Sequence, residues 1–276
     1  MDAVLDGIHR HGVTLLATAP TMYKALLPKV AEQGVGSLRK CLSAGEHLPK
    51  SVFEDWERET RIRIIDGIGS TEMIHIFISA SGDDIRPGST GKAVPGYEAC
   101  VLDEDFNPLP PGSVGKLAVR GPTGCRYLAD PRQKDYVVKG WNVTGDAFLM
   151  DEDGYFWFKA RADDMIVSAG YNIGGPEVEE VLLRHDAVAE CAVIGAPDPA
   201  RGQIVKAFVV PRTGVIPSAA LVEELQNFVK SSIAPYKYPR AVEFVDALPK
   251  TETGKIQRFK LRQQEEQRAQ ALVKES

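Results

Sequence analysis

The chain has 276 residues, 43% of them hydrophobic, and carries 33 basic against 38 acidic side chains for a formal net charge of −5. That length suits about two domains, and the acidic balance argues against general nucleic-acid binding, which wants a basic excess. Cys41, Cys100, Cys125 and Cys191 are scattered without CxxC spacing, which argues against a disulfide framework or zinc site and for a reducing, cytoplasmic setting.

The opening "MDAVLDGIHRHG" has no basic-then-apolar leader pattern, and no apolar run approaches bilayer length. It reads as a helix closed by Gly12, followed by the short apolar strand "VTLLATA". Pro20 opens a helix through "TMYKALLPKVAEQG"; "LRKCLSA" is a strand, "PKSVFEDWERET" a helix and "RIRIIDGIG" a strand. Strands separated by helices predict a parallel sheet, whose ligands sit beyond the carboxyl ends of its strands. The loops "SAGEH" and "GIGSTE" fall there. From Ile76 to Arg161 short β-rich pieces alternate with Gly and Pro clusters, and "DEDGY" is a hairpin turn, so a small twisted antiparallel sheet or distorted barrel is predicted. After Arg161, Pro176 opens the helix "PEVEEVLLRH"; "AECAVIGAP" and "KAFVVPR" are strands; "SAALVEELQNFVKSS" is amphipathic with Leu221, Val222, Leu225, Phe228 and Val229 inward. "AVEFVDAL" is a strand and the tail from Gln257 a charged helix. The predicted organisation is a partial α/β region over 1–75, a β-rich subdomain over 76–161 and a compact α+β domain over 162–276.

Three stretches carry candidate chemistry. "IGSTE" places glycines, hydroxyls and a carboxylate at a strand's end, suited to phosphate and Mg²⁺; it reads equally as a helix N-terminus capped by Ser70, and as a dinucleotide fingerprint it fails because Glu72 replaces the last glycine. Asp146, in "GWNVTGD", suits two ribose hydroxyls or a plain turn. "RADDMIVSAGYNIGGPEVEE" resembles a linker able to bend. "LPKTETGKIQR" exposes Lys255 after Thr253-Gly254; a P-loop is excluded there, since Pro249 and Ile256 stand where glycine and hydroxyl are required. The five histidines show no metal spacing, and no Ser-His-Asp order emerges.

Taken in order, "SAGEHLP", "DGIGSTE", "GWNVTGD", "YFWFKARADDMIVSAGYNIGGPEVEE", "APDPARGQIVKAFVV" and "LPKTETGKIQR" resemble the adenylate-forming superfamily of acyl- and aryl-CoA synthetases, luciferases and adenylation domains. "GSTEMIHIFIS", "SAGYNI" and "RGQIVKAFVV" are most similar to benzoate- and 2-aminobenzoate-CoA ligases, with medium-chain acyl-CoA synthetases next. The resemblance implies ATP, Mg²⁺ and coenzyme A, a small carboxylic acid substrate, and no nucleic acid or membrane span. It implies that Lys255 neutralises charge during adenylation and that Asp163 is the hinge about which the C-terminal domain turns. It places Glu72 on Mg²⁺; Thr71, with Ser70 and Gly69, at the phosphates; Gly45, Glu46, Asp66 and Gly67 around the base; Asp146 and Arg161 on the ribose; and Phe158 elsewhere on the nucleotide site. Gly170 and Tyr171 fall along the CoA path, and His75 where an aryl ring is lined.

Asn172 stands where many acyl-CoA synthetases have arginine, and Ala160 replaces a usual glycine. The family's TSGTTGxPK loop, which cradles pyrophosphate, has no counterpart here. The chain is therefore expected to be the C-terminal half of a ligase, inactive or nearly so alone, with the N-terminal half as its missing partner. The competing readings are an adenylation domain serving a carrier protein and a non-catalytic nucleotide- or partner-binding module.

Overall fold

Apolar residues that recur at helical spacing and then gather in short runs make the start of the chain alternate between helix and strand. A computed structural model describes residues 2–124, 126–251 and 254–275; Cys125 and Thr253 of the sequence reading lie outside these. The chain forms two compact units, Met1–Phe158 and Lys159–Ser276.

In the first unit, α1 (Asp2–His11) ends at Gly12, whose φ of 61° breaks the helix. β1 (Leu15–Thr18) follows, then α2 (Pro20–Gln33), which buries Tyr23, Leu26 and Val30 along one stripe. β2 (Lys40–Ser43), α3 (Lys50–Thr60) and β3 (Ile64–Gly69) complete the alternation. β1, β2 and β3 pair in parallel, with Ala17 opposite Leu42 and Leu42 opposite Ile65. Phe53 and Trp56 of α3 join Leu5, Tyr23, Leu26 and Ile64 in the core, and Tyr23 meets Trp56 edge-on at 4.8 Å.

β4 (Ile76–Ser79) and β5 (Lys92–Ala93) extend this sheet antiparallel beyond β3. A second sheet contains β6 (Glu98–Leu102), β7 (Val114–Arg120), β8 (Val137–Val138) after a one-turn helix α4 (Gln133–Tyr136), β9 (Trp141–Met150) and β10 (Phe156–Arg161). Its order is β10-β9-β7-β6, with β8 against β9. The β9–β10 turn closes as the Asp-Gly signal predicts: Asp151 N donates to Tyr155 O at 2.9 Å and Gly154 takes φ 81°.

The second unit corrects one expectation. Residues 165–174, expected as a bendable linker, form a hairpin of β11 (Met165–Ser168) and β12 (Tyr171–Gly174). Ala169 and Gly170, at φ 48° and 84°, form its tight turn. Ile166 and Ser168 are buried while Val167 is exposed, the alternation of a strand. α5 (Gly175–Leu182), β13 (Val188–Asp198), β14 (Gly202–Pro211), α6 (Ala219–Ser232), β15 (Ala241–Phe244) and α7 (Arg258–Glu275) follow. The sheet runs β12-β11-β14-β13, with β15 parallel to β14. Ser218 Oγ caps α6 by accepting from Leu221 N at 3.1 Å, which turns Leu221, Leu225 and Val229 onto the core. Among the described residues no helix is long and apolar enough to cross a membrane.

Candidate functional site

Buried polar side chains gather at the carboxyl ends of β2 and β3. The ladder sets Ser43 opposite Asp66. Ser43 Oγ, Asp66 Oδ1 and, in the loop just after β2, Glu46 Oε1 are buried without a hydrogen bond of good geometry, the Ser43 hydroxyl acting on the Asp66 carboxylate only as a weak donor. Native proteins leave few such atoms, because each forfeits its hydration for nothing. Burial pushes the Asp66 carboxyl up to about 7; the Ser43 hydroxyl and the Gly67 amide offset only part of that rise. In the same loop Gly45 turns at φ 87°, and the His47 ring stacks on Phe158 at 5.0 Å. The structure thus brings Asp66, Ser43 and the 45–47 loop to one end of the sheet, with Phe158 against His47. Ser43 and His47 were missed by sequence reasoning; "SAGEH" held the signal, since both flank its Gly-Glu.

Gly67 and Gly69 lie within β3, not in a loop. A Cβ on Gly69 would stand 2.6 Å from the His75 carbonyl oxygen, so β4's close approach demands glycine there. Ser70 does accept a backbone hydrogen bond, from Met73 N at 3.2 Å, but a turn follows and no helix. Thr71 is exposed in that turn. Glu72 accepts from Tyr127 Oη at 2.7 Å. This phenol holds the Glu72 carboxyl below its ordinary range, with Ser70 and the charge of Arg132 adding to the effect. Tyr127 in turn packs against Tyr136 at 5.6 Å, and Arg132 lies over its ring at 5.4 Å.

No group of three or more His, Cys, Asp or Glu side chains able to hold a metal occurs among the described residues. An ionised Glu72 fits Mg²⁺ in another manner: that ion commonly binds through one or two carboxylates plus substrate phosphates. The orphaned polar atoms by Asp66 fit the donors and acceptors of a nucleotide base.

Asp146 is a nearly buried residue of strand β9, not of a turn; its amide donates to Thr144 Oγ1 at 3.2 Å. His75 is exposed, its ring parallel to that of Tyr97 at 6.4 Å. In the second unit, Arg161 ends β10, Asp163 sits in a single 3-10 turn (Ala162–Asp164), and Gly170 is at the tip of the β11–β12 hairpin. Tyr171, beside it, stacks on Tyr236 at 4.4 Å.

Lys255 is exposed on a tightly bonded turn. Thr251 N donates to Lys255 O at 2.8 Å, Lys255 N to Thr251 Oγ1 at 3.1 Å, and Gln257 N to Pro249 O at 2.8 Å. Gly254, at φ 87°, lets the chain reverse.

Known proteins resemble this chain along nearly its whole length. Residues 1–127 match the AMP-binding enzyme family and residues 177–255 the AMP-binding enzyme C-terminal domain. Mouse acyl-coenzyme A synthetase ACSM4, mitochondrial, is 45% identical over 97% of this chain and 48% of its own length. Human acyl-coenzyme A synthetase ACSM5, mitochondrial, is 44% identical over 95% of this chain and 47% of its own. The anthranilate CoA ligase AuaEII, solved with anthranoyl-AMP, superposes with a TM-score of 0.87 at 42% identity, over 96% of this chain and 52% of that one. A benzoate CoA ligase from Burkholderia xenovorans LB400 gives 0.82 at 40%, over 95% and 53%. The chain spans about half the length of the curated relatives it matches. Two family matches in order, near-complete coverage of this chain and that fold likeness together show that it belongs to the AMP-binding enzyme family.

Proposed function

We propose that this chain supplies the base-holding site and the adenylating lysine of an ATP-dependent acid–CoA ligase. The observation that carries the reading is the buried, unsatisfied set of Ser43 Oγ, Glu46 Oε1 and Asp66 Oδ1 at the strands' carboxyl ends. Such atoms are tolerated where a ligand completes them, and an adenine has an amino donor for Asp66 and ring acceptors for Ser43.

The chemistry joins a carboxylate to the α-phosphorus of ATP, releasing pyrophosphate; the CoA thiol then attacks the acyl-adenylate, and AMP leaves with the thiol's proton lost to solvent. Its first step forces two anions together, so oriented cations and donors lower the barrier. In this reading Gly45, Gly67 and Phe158 border the base, Asp146 and Arg161 take the ribose hydroxyls, and Ser70 and Thr71 meet the phosphates beside Gly69. Glu72 holds Mg²⁺, which when bound supplies positive charge to the phosphates. Lys255 brings an ammonium to the reacting carboxylate and is withdrawn by rotation at Asp163, which leaves Gly170 and Tyr171 to line the CoA path. Likeness to benzoate and anthranilate ligases supports an aromatic acid, with His75 against its ring; medium-chain acids are the runner-up, supported by the acyl-coenzyme A synthetase relatives. The scattered cysteine spacing suits a reducing cytoplasm, whereas the ACSM4 and ACSM5 relatives are mitochondrial.

The half-length match supports a second reading, that the chain by itself binds nucleotide without turnover. Calorimetric titration of the chain with ATP and Mg²⁺, followed by a CoA-ligation screen of the complete ligase with benzoate, 2-aminobenzoate and medium-chain acids, tests both. Saturable binding lost in Asp66→Ala is expected. Ligation of no acid by the complete protein would leave only the binding module.

A further inference from the structure

Lys255 stands just ahead of α7, and the first two turns of that helix carry Arg258 and Arg262. Each arginine reaches an acid on another element of the same unit. Arg258 Nε donates to Glu179 Oε1 at 3.0 Å and Nη2 to Oε2 at 2.6 Å. This two-pronged contact fixes the plane of the guanidinium as well as its position. Glu179, on α5, is 8% exposed, and its Oε1 also accepts from Val193 N at 2.8 Å. Arg262 Nη1 donates to Asp164 Oδ1, within the short turn that contains Asp163. Between the two arginines, Leu261 is buried with Ile194, Phe208 and Leu248.

Mere docking of α7 does not call for this arrangement. Leu261 supplies an apolar anchor, and Lys206 Nζ bonds Glu265 Oε2 at 2.8 Å farther along the helix. Buried ion pairs add little net stability over apolar packing; what they add is a defined geometry. Both arginines sit at the end of α7 next to the Lys255 turn, where geometry matters most. On the other side of the turn, Lys250 Nζ reaches Glu190 Oε2 at 2.7 Å. Thr251 is bonded to both Gly254 and Lys255, which adds to this bracing.

Resting on the reading of Lys255 as the adenylating cation and Asp163 as the hinge, we propose that Arg258 and Arg262 are positioning residues. Through Glu179 and Asp164 they clamp the root of the Lys255 turn to the domain core and to the hinge turn, so that lysine and hinge move as one rigid body. A site held on a braced element loses less orientation than one on a free loop.

Amide hydrogen exchange of this chain, read by NMR, tests the clamp without any nucleotide. The reporters are the bonded amides of Gly254, Lys255 and Gln257, with Met165, whose N–H is held by Ala162 O, for the hinge turn. Arg258→Gln is expected to speed exchange at the first three at least about tenfold, the factor for ~1.4 kcal/mol of local opening, while Val205 and Val209 of β14 keep their protection. Arg262→Gln is expected to release Met165 as well, and Arg258→Lys to restore part of the loss. Should Arg258→Gln not fold, Glu179→Gln removes the same charge pairing at equal volume and is read identically. Unchanged protection at Lys255, or a uniform loss that includes β14, overturns the clamp and leaves the ligase reading untouched. Failure of ligation in the complete protein does the reverse.

Discussion

Tyr127 Oη donates to Glu72 Oε1 at 2.7 Å, across 55 residues of sequence. The bond favours the ionised form of the carboxylate, the form a cation would need. It is the main reason the Glu72 carboxyl titrates below its ordinary range. A depressed carboxyl stabilises the fold above the pKa it has when unfolded, and that contribution is lost as pH falls through the folded value. Tyr127→Phe is therefore expected to lower stability by ~0.5–1 kcal/mol near neutral pH, the discounted worth of a partly exposed charged hydrogen bond. The gap to the parent should close in acid. Urea melts at pH 7 and pH 3 measure it, and a ¹³C titration of Glu72 should show its pKa rising in the variant.

Asp66 behaves oppositely. Its carboxyl rises from an ordinary 3.8 to about 7 on folding, because burial penalises the charge. A raised acid favours the fold fully below pH 3.8, and this advantage is lost as pH climbs to about 7. Asp66→Asn removes the ionisable group, so it should stabilise the chain at pH 8 by ~1–3 kcal/mol, a discounted fraction of ~1.4 kcal/mol per pKa unit. Near pH 4 it should do nothing. Thermal melts at the two pH values check this; equal effects at both would mean that burial is not the cause.

Much of this was legible because its causes are local. Pro20 and Gly34 bracket α2 by their own backbone constraints, and Asp151 to Gly154 spell their turn. Ser70 and Glu72 stood out because a parallel sheet concentrates chemistry at its carboxyl ends; Asp66 came from the family resemblance alone. The β11–β12 hairpin was hidden: its strands are four residues each, and Ala169-Gly170 reads as flexible until the pairing of Ile166 with Ile173 is seen. β4 and β5 were hidden likewise, since their pairing with β3 rests on contacts rather than on any periodic signal. Tyr127 carries no local mark at all. Its role arises only when folding brings a distant carboxylate to its hydroxyl.

The two glycines of β3 should differ in tolerance. A Cβ on Gly67 meets the Ile76 side chain at 2.8 Å, whereas one on Gly69 meets the His75 carbonyl oxygen at 2.6 Å. A side-chain tip can swing aside; the backbone carbonyl just ahead of β4 moves only with that strand. Gly69→Ala is expected to cost ~2–3 kcal/mol as an overpacked site, and to displace the Ser70–Glu72 turn. Gly67→Ala should cost about half as much or less. Chemical denaturation of both variants checks the order, and equal losses would show that β4 yields easily.

Lys255 offers the sharpest functional test. Its side chain is exposed and its backbone braced by Thr251 at both N and O, so truncation should leave the fold intact and remove only the ammonium. If that ammonium neutralises charge as carboxylate meets α-phosphate, its loss falls on adenylation alone. In the complete ligase, Lys255→Ala is expected to slow acid-dependent pyrophosphate exchange ~10²–10³-fold, the usual penalty for deleting one preorganised electrostatic group. Thioester formation from supplied acyl-adenylate should change less than about threefold, because no anion is then being forced onto another. Comparing the two half-reactions in one preparation separates these cases. Equal damage to both would mean that the lysine serves binding or domain closure rather than charge neutralisation in the first step.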